Sequence, residues 1–357
     1  MYGMACAWAE DVVSVGKSFT GEVDMTLEGE KTKGLNLIEK RSLGRTGLQA
    51  TVLGLGAGGN SRLGLSLGLG DDHAAGVARA ALEMGITLFD TARAYRTEAA
   101  VGQAIRGKRR QELVIASKCG IHDEQRELLS AQAFEQGIDA SLQALELETI
   151  DIYFVHGLRL PDYEAAVERF IPVLERARQA GKIRCVGVTE AFESDTRHEM
   201  LQRALQDDCW QVMMVGYNLV NPSARRRVLA ETKRKGIATL GMFAVRRGLI
   251  DEERLRVLLG RMAAGEHGEV QIDPALPAVP DLMAHLGLRG VCQTLSEAAY
   301  RFCAYEPWLD CVLSGTSSAE HLRHNLAAVQ KGPLPAETLQ RLEAVFGGVD
   351  SVSGQVR

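Results

Sequence analysis

The sequence predicts an α/β protein folded as a closed (β/α)8 TIM barrel. Short apolar segments that suit buried strands alternate with amphipathic helices along most of the chain. Three consecutive strands end in a charged or titratable residue: Asp90, Lys118 and His156. The carboxyl ends of parallel strands meet at one face of a barrel, so these side chains are expected at a common rim. Eight strand–helix units in succession close most simply into a barrel.

A β-hairpin is predicted just before the barrel, at residues 37–50, with Gly-Arg-Thr-Gly as its turn. We expect it to plug the N-terminal end of the barrel. The first barrel strand follows at residues 51–55, and a glycine-rich run occupies residues 54–60. That run opens no helix with a GxGxxG pattern, so a Rossmann loop is the weaker alternative. Its glycines instead allow a substrate or cofactor to approach the backbone closely.

Regular alternation of helices and strands begins near Asp71. Seven further strands are predicted at residues 86–89, 112–117, 150–155, 183–188, 210–215, 237–242 and 309–313. Helices are predicted at residues 73–84, 97–106, 131–145, 164–180, 194–206, 223–235, 252–262, 294–304, 319–330 and 335–346. With the strand at residues 51–55, this makes the eight strands of the barrel.

Three segments fall outside the alternation. Residues 1–37 show no sustained period and are predicted to be a mobile N-terminal extension. Residues 263–293 form an insertion before the last strand of the 38–347 barrel, rich in proline and poor in period; a segment this long is expected to lie over the rim as a lid or to pack along the outside. Residues 348–357 remain as a C-terminal tail.

Composition excludes several classes of function. The chain of 357 residues is 46% hydrophobic and 24% charged, as is usual for a globular protein. A net charge of −5 and an aromatic content of 5% argue against nucleic-acid partners. The seven cysteines form no CxxC pair and suit reduced thiols in a cytoplasmic protein, with no metal site. No apolar run approaches the ~20 residues that span a bilayer, so no membrane partner is expected.

Four residue types near the strand ends suggest carbonyl chemistry. A lysine beside a phenol favours the phenolate, so Lys118 is expected to lower the pKa of Tyr95. Asp90 keeps that lysine charged, and a neutral His156 can orient a carbonyl oxygen by a hydrogen bond. This set suits proton delivery to an oxygen that gains negative charge when hydride is added, and the hydride implies a nicotinamide cofactor. Each residue could instead cap a helix or form a local salt bridge. The occurrence of three such residues at three consecutive strand ends disfavours that alternative.

The sequence resembles the aldo-keto reductase family over about residues 38–347. The resemblance is carried by FDTARAY at 89–95, VIASKCG at 114–120, DIYFVHG at 151–157, GKIRCVGVTE at 181–190 and SGTSSAEHLRHN at 314–325. It implies that Tyr95 is the general acid, that Lys118 and Asp90 tune it, and that His156 orients the substrate carbonyl. It also implies NADPH, held extended across the barrel mouth without a Rossmann motif.

The predicted cofactor residues lie on the later loops. The segment from Ser314 to Ser318 precedes a helix N-terminus, which is a good phosphate site, and Arg323 on that helix could meet a 2′-phosphate. An ordinary N-cap with a solvated arginine is the alternative. Arg246 and Arg247 are candidates for the pyrophosphate, or else solvated surface charges. The full set of cofactor residues comprises Thr189, Glu190, Met214, Met242, Phe243, Arg246, Ser314, Gly315, Thr316, Ser317, His321, Arg323 and Asn325.

The chain departs from the family pattern around the nicotinamide. Glu190 stands where the family usually has an asparagine that holds the carboxamide, and Met214 stands where it usually has glutamine. Met242 replaces an aromatic residue, although Phe243 is adjacent, and Arg96 replaces the glycine that commonly follows the tyrosine. These departures question cofactor affinity and rate more than the fold.

The sequence therefore predicts a cytoplasmic NADPH-dependent oxidoreductase that reduces a small aldehyde or ketone. Two alternatives stay open. One is an NADP(H)-binding sensor or regulatory subunit with little turnover, similar to potassium-channel β subunits and suggested by Glu190 and Met214. The other is a barrel aldolase that uses Lys118 as a Schiff base, which Asp90 disfavours by keeping the amine protonated. His156 is followed by Gly-Leu-Arg, which places Arg159 as a further pocket candidate.

Overall fold

The computed structural model describes residues 38–268 and 272–356, and the predicted N-terminal extension lies outside these residues. An antiparallel hairpin consists of β1 (Lys40–Ser42) and β2 (Gln49–Thr51). The barrel strands are β3 (Leu53–Gly56), β4 (Leu88–Asp90), β5 (Val114–Cys119), β6 (Ile150–Leu158), β7 (Ile183–Glu190), β8 (Val212–Gly216), β9 (Ala238–Met242) and β10 (Cys311–Gly315). They pair in parallel in sequence order, and β10 closes the barrel against β3. The predicted (β/α)8 TIM barrel is confirmed.

The helices surround this barrel. They are α1 (Asp71–Glu83), α2 (Glu98–Ile105), α3 (Ala131–Leu145), α4 (Tyr163–Gln179), α5 (Glu199–Ala204), α6 (Ala230–Lys235), α7 (Glu252–Ala263), α8 (Leu282–His285), α9 (Leu295–Ala304), α10 (Ala319–Gln330) and α11 (Ala336–Phe346). A π-helical turn at Arg225–Leu229 leads into α6. Within the described parts of the chain, no helix is both long enough and apolar enough to cross a bilayer.

Side-chain alternation along the strands separates two cores. On β5, Val114 and Ala116 point into the barrel, and Ile115 packs outward against the helices. The inner core is completed by residues such as Ile152, Phe154 and Met214. Because both faces of each strand are buried, the strands are nearly continuous apolar runs. Lys118 continues the inward alternation of β5 and is therefore carried into the barrel rather than into solvent.

The hairpin closes the N-terminal end of the barrel, as predicted. Leu43, Leu48 and Ala50 belong to the inner core of the barrel. The boundary of the first barrel strand was predicted too early, because Thr51 pairs with Lys40 in the hairpin. The Thr51 hydroxyl donates to the carbonyl of the residue two positions on, and the barrel strand starts only there, at the beginning of β3.

The described part of the 263–293 segment packs on the outer helices. Its leucines Leu276, Leu282, Leu286 and Leu288 are buried in the outer core. The Arg256 guanidinium of α7 donates to the carbonyls of Pro277 (2.9 Å) and Val279 (2.6 Å). Thr338 of α11 donates to the carbonyl of Gly287 at 3.0 Å. These contacts lie along the outside of the barrel.

The C-terminal residues also pack tightly. Val349 and Val352 are 1% and 2% exposed, and Asp350 accepts hydrogen bonds from Arg197 and Arg227. The predicted tail, as far as Val356, is thus an ordered segment that crosses the loops after β8 and β9. We refer to residues 349–356 as the C-terminal strap.

Candidate active site

The predicted catalytic residues converge at the carboxyl ends of β4, β5 and β6. Asp90 is the last residue of β4, and Lys118 and His156 lie near the ends of β5 and β6. Tyr95 ends a single 3-10 turn, Arg93–Tyr95, that follows β4. The parallel register, which pairs Asp90 with Ala116, brings these strand ends to one level of the barrel.

The four side chains form a connected group. Lys118 Nζ donates to Asp90 Oδ1 at 2.5 Å and to the carbonyl of Thr91 at 2.9 Å. The same Nζ lies 4.9 Å from the centroid of the Tyr95 ring. The Tyr95 hydroxyl is 3.3 Å from His156 Nε2. Lys118 and Asp90 are 1% and 3% exposed, whereas Tyr95 and His156 are only partly buried, so the latter two reach the mouth of the barrel.

The expected depression of the tyrosine pKa is not observed. Burial raises the pKa of Tyr95 above its usual value, and the opposing Lys118 charge does not overcome that effect. Asp90, which pairs with Lys118, itself raises the pKa of Tyr95. The phenol is therefore protonated at neutral pH and has a proton to give.

His156 is neutral, as expected. Burial, together with the nearby Lys118 charge, lowers the pKa of His156 to about 3. A neutral imidazole donates from one ring nitrogen and accepts at the other. With Nε2 beside the Tyr95 hydroxyl, the two groups frame a position where one carbonyl oxygen can be bound.

The glycine-rich run after β3 makes room for the Tyr95 ring. A Cβ atom on Gly58 would lie 2.3 Å from Cε2 of Tyr95, a distance that no side chain tolerates. Glycine here thus accommodates a protein side chain rather than a ligand, a role that the sequence analysis missed. Arg62, exposed in the following loop, is close enough for its charge to act on the Tyr95 pKa.

Two arginines near the mouth have clear local explanations. Arg96, in the position commonly taken by glycine, has φ of +61°, the left-handed region that glycine favours. Arg159 is exposed and donates from Nε to Asp162 Oδ2 at 2.9 Å. Arg159 is therefore held by its neighbour in the loop rather than directed into the pocket.

Glu190 does not lie at the barrel mouth, contrary to the sequence-based expectation. Its side chain has no exposed surface and faces outward from the barrel, since Thr189 takes the inward position of β7 and accepts a hydrogen bond from the Gly157 amide at 2.7 Å. The Glu190 carboxylate pairs with His198 Nδ1 at 2.9 Å and accepts from the Gly216 amide at 2.7 Å. Burial raises the pKa of Glu190, and the His198 contact opposes that shift.

The two predicted methionines do line the inside of the barrel. Met214 is 2% exposed in the inner core, and Met242 packs against it, partly exposed at the end of β9. Phe243 follows with φ of +68° and stacks on Phe192, with ring centroids 6.1 Å apart. Its other contact is the Arg246 guanidinium, which lies 4.2 Å from the ring centroid.

Part of the predicted phosphate-binding set builds its own turn. The Ser314 hydroxyl is engaged by Tyr300 and by Asn325 Nδ2, each at 3.0 Å. Thr316 Oγ1 accepts from the Ser318 amide at 3.0 Å. The Ser314, Thr316 and Asn325 side chains are therefore hydrogen-bonded within the protein, and their role in cofactor binding stays a prediction.

The remaining groups of this turn stay available. Ser318 is the N-cap of α10 and accepts from the His321 amide at 3.4 Å. Gly315, His321 and Arg323 are exposed, and the side chains of His321 and Arg323 have no partner among the residues that the structure describes. His73, which the sequence analysis did not single out, holds the carbonyl of Ser317 at 2.7 Å and fixes the turn.

Arg246 provides a second anion-binding feature. Its side chain is only 9% exposed, and its Nη1 is buried with no hydrogen-bond partner in the described parts of the chain. A buried, unmatched guanidinium donor suits an anionic ligand. Arg247, in contrast, is exposed. Arg246 and the N-terminal end of α10 are therefore candidates to hold the phosphates of a dinucleotide.

Comparison with known proteins gives concordant results. The profile of the Aldo/keto reductase family matches residues 52–346. L-galactose dehydrogenase from Arabidopsis thaliana is 27% identical over 329 residues, which cover 88% of this chain and 97% of that protein. An NADH-specific methylglyoxal reductase from Escherichia coli is 27% identical over 264 residues, or 69% of this chain and 79% of that protein.

A solved structure confirms the similarity of fold. The holo form of an aldo-keto reductase from Bacillus halodurans superposes with a TM-score of 0.66 at 24% identity, covering 87% of this chain and 97% of that one. The family profile spans most of the present sequence and includes every strand of the barrel. The chain therefore belongs to the aldo/keto reductase family, and it is an oxidoreductase of the kind that uses a nicotinamide cofactor.

Proposed function

We propose that this protein is an NADPH-dependent oxidoreductase that interconverts a small aldehyde or ketone with its alcohol. The observation that carries the proposal is the arrangement of Asp90, Lys118, Tyr95 and His156. The phenol and a neutral imidazole lie 3.3 Å apart at the mouth, above a buried lysine–aspartate pair. This arrangement supports acid catalysis at one oxygen atom.

Each residue has a distinct role in this proposal. In the direction of reduction, Tyr95 gives its proton to the carbonyl oxygen as that oxygen gains negative charge. His156, which is neutral, hydrogen-bonds the same oxygen and orients it. Lys118 stabilises the phenolate that remains, and Asp90 keeps Lys118 charged and in place. The bound nicotinamide cofactor supplies the hydride. General acid catalysis of this kind contributes roughly a hundred- to ten-thousand-fold to the rate.

The cofactor would be held by the later loops. Arg246 is proposed to bind the diphosphate, and the N-terminal end of α10 with Arg323 is proposed to bind a 2′-phosphate. Arg323, in the N-terminal part of α10, is exposed and has no partner among the described residues, which favours NADPH over NADH. One relative is by name NADH-specific, so both cofactors belong in the assay.

The names of the relatives suggest substrates to test. One is a reductase of methylglyoxal and the other is a dehydrogenase of L-galactose, which this chain covers almost completely. We therefore propose an assay in both directions, with methylglyoxal and other small carbonyl compounds for reduction and with L-galactose for oxidation.

The alternatives draw less support from the geometry. The sensor hypothesis was suggested by Glu190 and Met214; Met214 does line the barrel, but the Glu190 carboxylate is turned away from the mouth. The aldolase hypothesis needs a neutral Lys118 amine, but that amine is fully buried between the Asp90 carboxylate and the Thr91 carbonyl. A protonated amine that donates two hydrogen bonds is a poor nucleophile.

The test is the Tyr95→Phe variant, which removes only the proton donor. We expect kcat for carbonyl reduction to fall by roughly a hundredfold or more, with cofactor affinity little changed. The matched control is Tyr305→Phe, whose hydroxyl donates to the Val329 carbonyl on the outer helices. Both variants are assayed by NADPH absorbance, and cofactor binding is measured by tryptophan fluorescence. Undiminished turnover in Tyr95→Phe would refute the proposed acid.

A further inference from the structure

The Arg246 guanidinium is held from several directions. Nε donates to Gln355 Oε1 in the C-terminal strap at 3.0 Å. Nη2 lies 3.3 Å from Glu193 Oε1 in the loop after β7. The guanidinium carbon lies over the Phe243 ring, 4.2 Å from its centroid. Only Nη1 lacks a partner within the described residues, so the surroundings orient the cation and leave one nitrogen unmatched.

Glu193 and Gln355 differ in what they offer Arg246. The Glu193 side chain is 57% exposed, so its ion pair with Arg246 contributes little and can exchange with another anion. Gln355 is neutral, so it cannot supply the negative charge that a phosphate would bring to Arg246. It accepts from Nε, the donor on the edge of the guanidinium that leaves both Nη atoms for a ligand. Burial lowers the pKa of Arg246, which is consistent with a cation that lacks a full set of anionic partners.

Gln355 is itself firmly placed by the strap. The carbonyls of Val352, Ser353 and Gly354 accept from Asn221 Nδ2, Asn218 Nδ2 and the Gly248 amide at 2.8, 3.1 and 3.0 Å. Gly354 has φ of +82°, and a Cβ atom there would lie within 3.5 Å of Arg246 Cβ. This left-handed turn lets the strap approach Arg246 closely and directs Gln355 onto Nε.

The Phe243 side of the guanidinium is equally fixed. Phe243 stacks on Phe192 within 18° of parallel, and Phe192 stacks on His198 within 15°. A Cβ atom on Gly216 would overlap the Phe192 ring at 2.2 Å, so the ring lies directly on the backbone of β8. The column His198–Phe192–Phe243 therefore supports the ring over which the Arg246 guanidinium lies, and Gln355 accepts from its Nε.

We propose that Gln355 is a positioning residue that orients Arg246 to bind the diphosphate of the dinucleotide, which takes the place of the Glu193 carboxylate. This inference rests on the proposed function, since it assigns the ligand of that same site. It makes the C-terminal strap part of the cofactor site. In this proposal Gln355 acts through Arg246, the residue whose Nε its side chain accepts from.

The test is a double-mutant cycle between Gln355 and Arg246. Gln355→Met keeps the length of the side chain and removes the acceptor, and Arg246→Met removes the cation. Gln340→Met, at an exposed position of α11, is the matched control. Dissociation constants of NADPH, NADH and ADP are measured by fluorescence or calorimetry. ADP is the probe that carries a diphosphate but no nicotinamide. Thermal unfolding of every variant identifies any that fails to fold. If Gln355→Met is one of these, Gln355→Ala replaces it.

We expect Gln355→Met to weaken all three ligands by roughly fivefold in the wild-type background and to have no further effect once Arg246 is methionine. A purely structural role of the strap would weaken binding equally in both backgrounds, and that outcome would overturn the inference. So would a Gln355→Met variant within twofold of the Gln340→Met control. If the wild-type protein binds neither NADPH nor NADH, the proposed function fails together with this inference; if it binds and only the coupling is absent, the function stands.

Discussion

Gly58 and the Tyr95 ring occupy adjoining volumes at the candidate active site, so we expect the glycine to be required for activity without any chemistry of its own. In a Gly58→Ala variant the new methyl group would meet the ring at 2.3 Å, so Tyr95 must move. Displacement of a catalytic group by about 1 Å can cost roughly a hundredfold in rate. We expect a loss of kcat/KM of that order, measured in the carbonyl reduction assay.

The matched control for this substitution is Gly76→Ala. Gly76 lies inside α1, and a Cβ atom there meets nothing within 4 Å. Alanine in a helix interior is more favourable than glycine by about 0.5–1 kcal/mol. The control variant should therefore be slightly more stable and fully active. If Gly58→Ala were as active as Gly76→Ala, the close approach to Tyr95 would have no functional consequence.

His156 links the active site to the pH dependence of stability. Its pKa is about 3 in the folded protein and near its usual value, about 6.5, in the unfolded chain. Between these values the unfolded chain binds more protons, so this group's contribution to stability is lost as the pH falls through that window.

Replacement of His156 by glutamine removes this titration. Between about pH 4 and 6, the free energy of unfolding of the wild type should fall more steeply with decreasing pH than that of His156→Gln, by at most about 1.4 kcal/mol per pH unit. Urea unfolding at several pH values measures both slopes. Equal slopes would mean that His156 is not held neutral in the folded state.

At the residue scale, the sequence singled out the candidate catalytic group, whose side chains lie together in the structure, but not its electrostatics. Asp90, Lys118 and His156 were recognisable because each directly follows a predicted apolar strand. The pKa of Tyr95 was predicted in the wrong direction because burial, which spacing does not reveal, outweighs the Lys118 charge. Gln355 and Glu193 carry no sequence pattern that points to Arg246.

At the scale of elements, the Glu190–His198 pair joins the loop before α5 to the end of β7. His198 adopts a left-handed conformation with φ of +59°, which places its ring under Glu190, and its Nε2 contacts Ser223 Oγ at 3.1 Å. The side chains of Glu190 and His198 have no exposed surface. Removing one partner of a buried pair leaves the other uncompensated and costs about 3–5 kcal/mol.

Glu190→Asn is therefore expected to destabilise the protein by about 3 kcal/mol rather than to restore a nicotinamide contact. The shorter amide reaches neither His198 nor the Gly216 amide as the carboxylate does. Glu190→Gln, which keeps the length and one acceptor oxygen, should lose less. Urea unfolding compares the three proteins. Tighter NADPH binding by Glu190→Asn, without loss of stability, would instead show that position 190 faces the cofactor.

Three of the predicted helices show where prediction of secondary structure from the sequence succeeds and fails. The predicted helices at 131–145 and 319–330 match α3 and α10, because Ser130 and Ser318 cap them through their side chains. The helix predicted at 194–206 shrinks to α5, which begins only after His198. A tertiary contact, the burial of His198 on Glu190, overrides the local helical pattern there.

At the scale of the whole molecule, the strand count and the barrel followed from periodicity, because strands buried on both faces are nearly all apolar. The packing of the C-terminal strap did not, since several of its contacts are made by backbone carbonyls that accept from Asn218 and Asn221, more than a hundred residues earlier in the chain. Backbone acceptors leave no trace in the sequence of the strap.

Residues at one end of the barrel are expected to contribute to stability, and residues at the other end to activity. Leu43 of the hairpin is fully buried in the inner core, at the end opposite the catalytic residues. Leu43→Ala should lower the free energy of unfolding by about 2–5 kcal/mol, because it removes buried methyl groups and leaves a cavity. Since the catalytic residues lie on the other face, kcat/KM of the folded variant should stay within twofold of wild type.

Leu67→Ala, at a side chain that is 64% exposed, is the control and should change stability little. Urea unfolding and the reductase assay, measured on the same samples, test both expectations. A loss of activity without a loss of stability in Leu43→Ala would show that the plug communicates with the catalytic end.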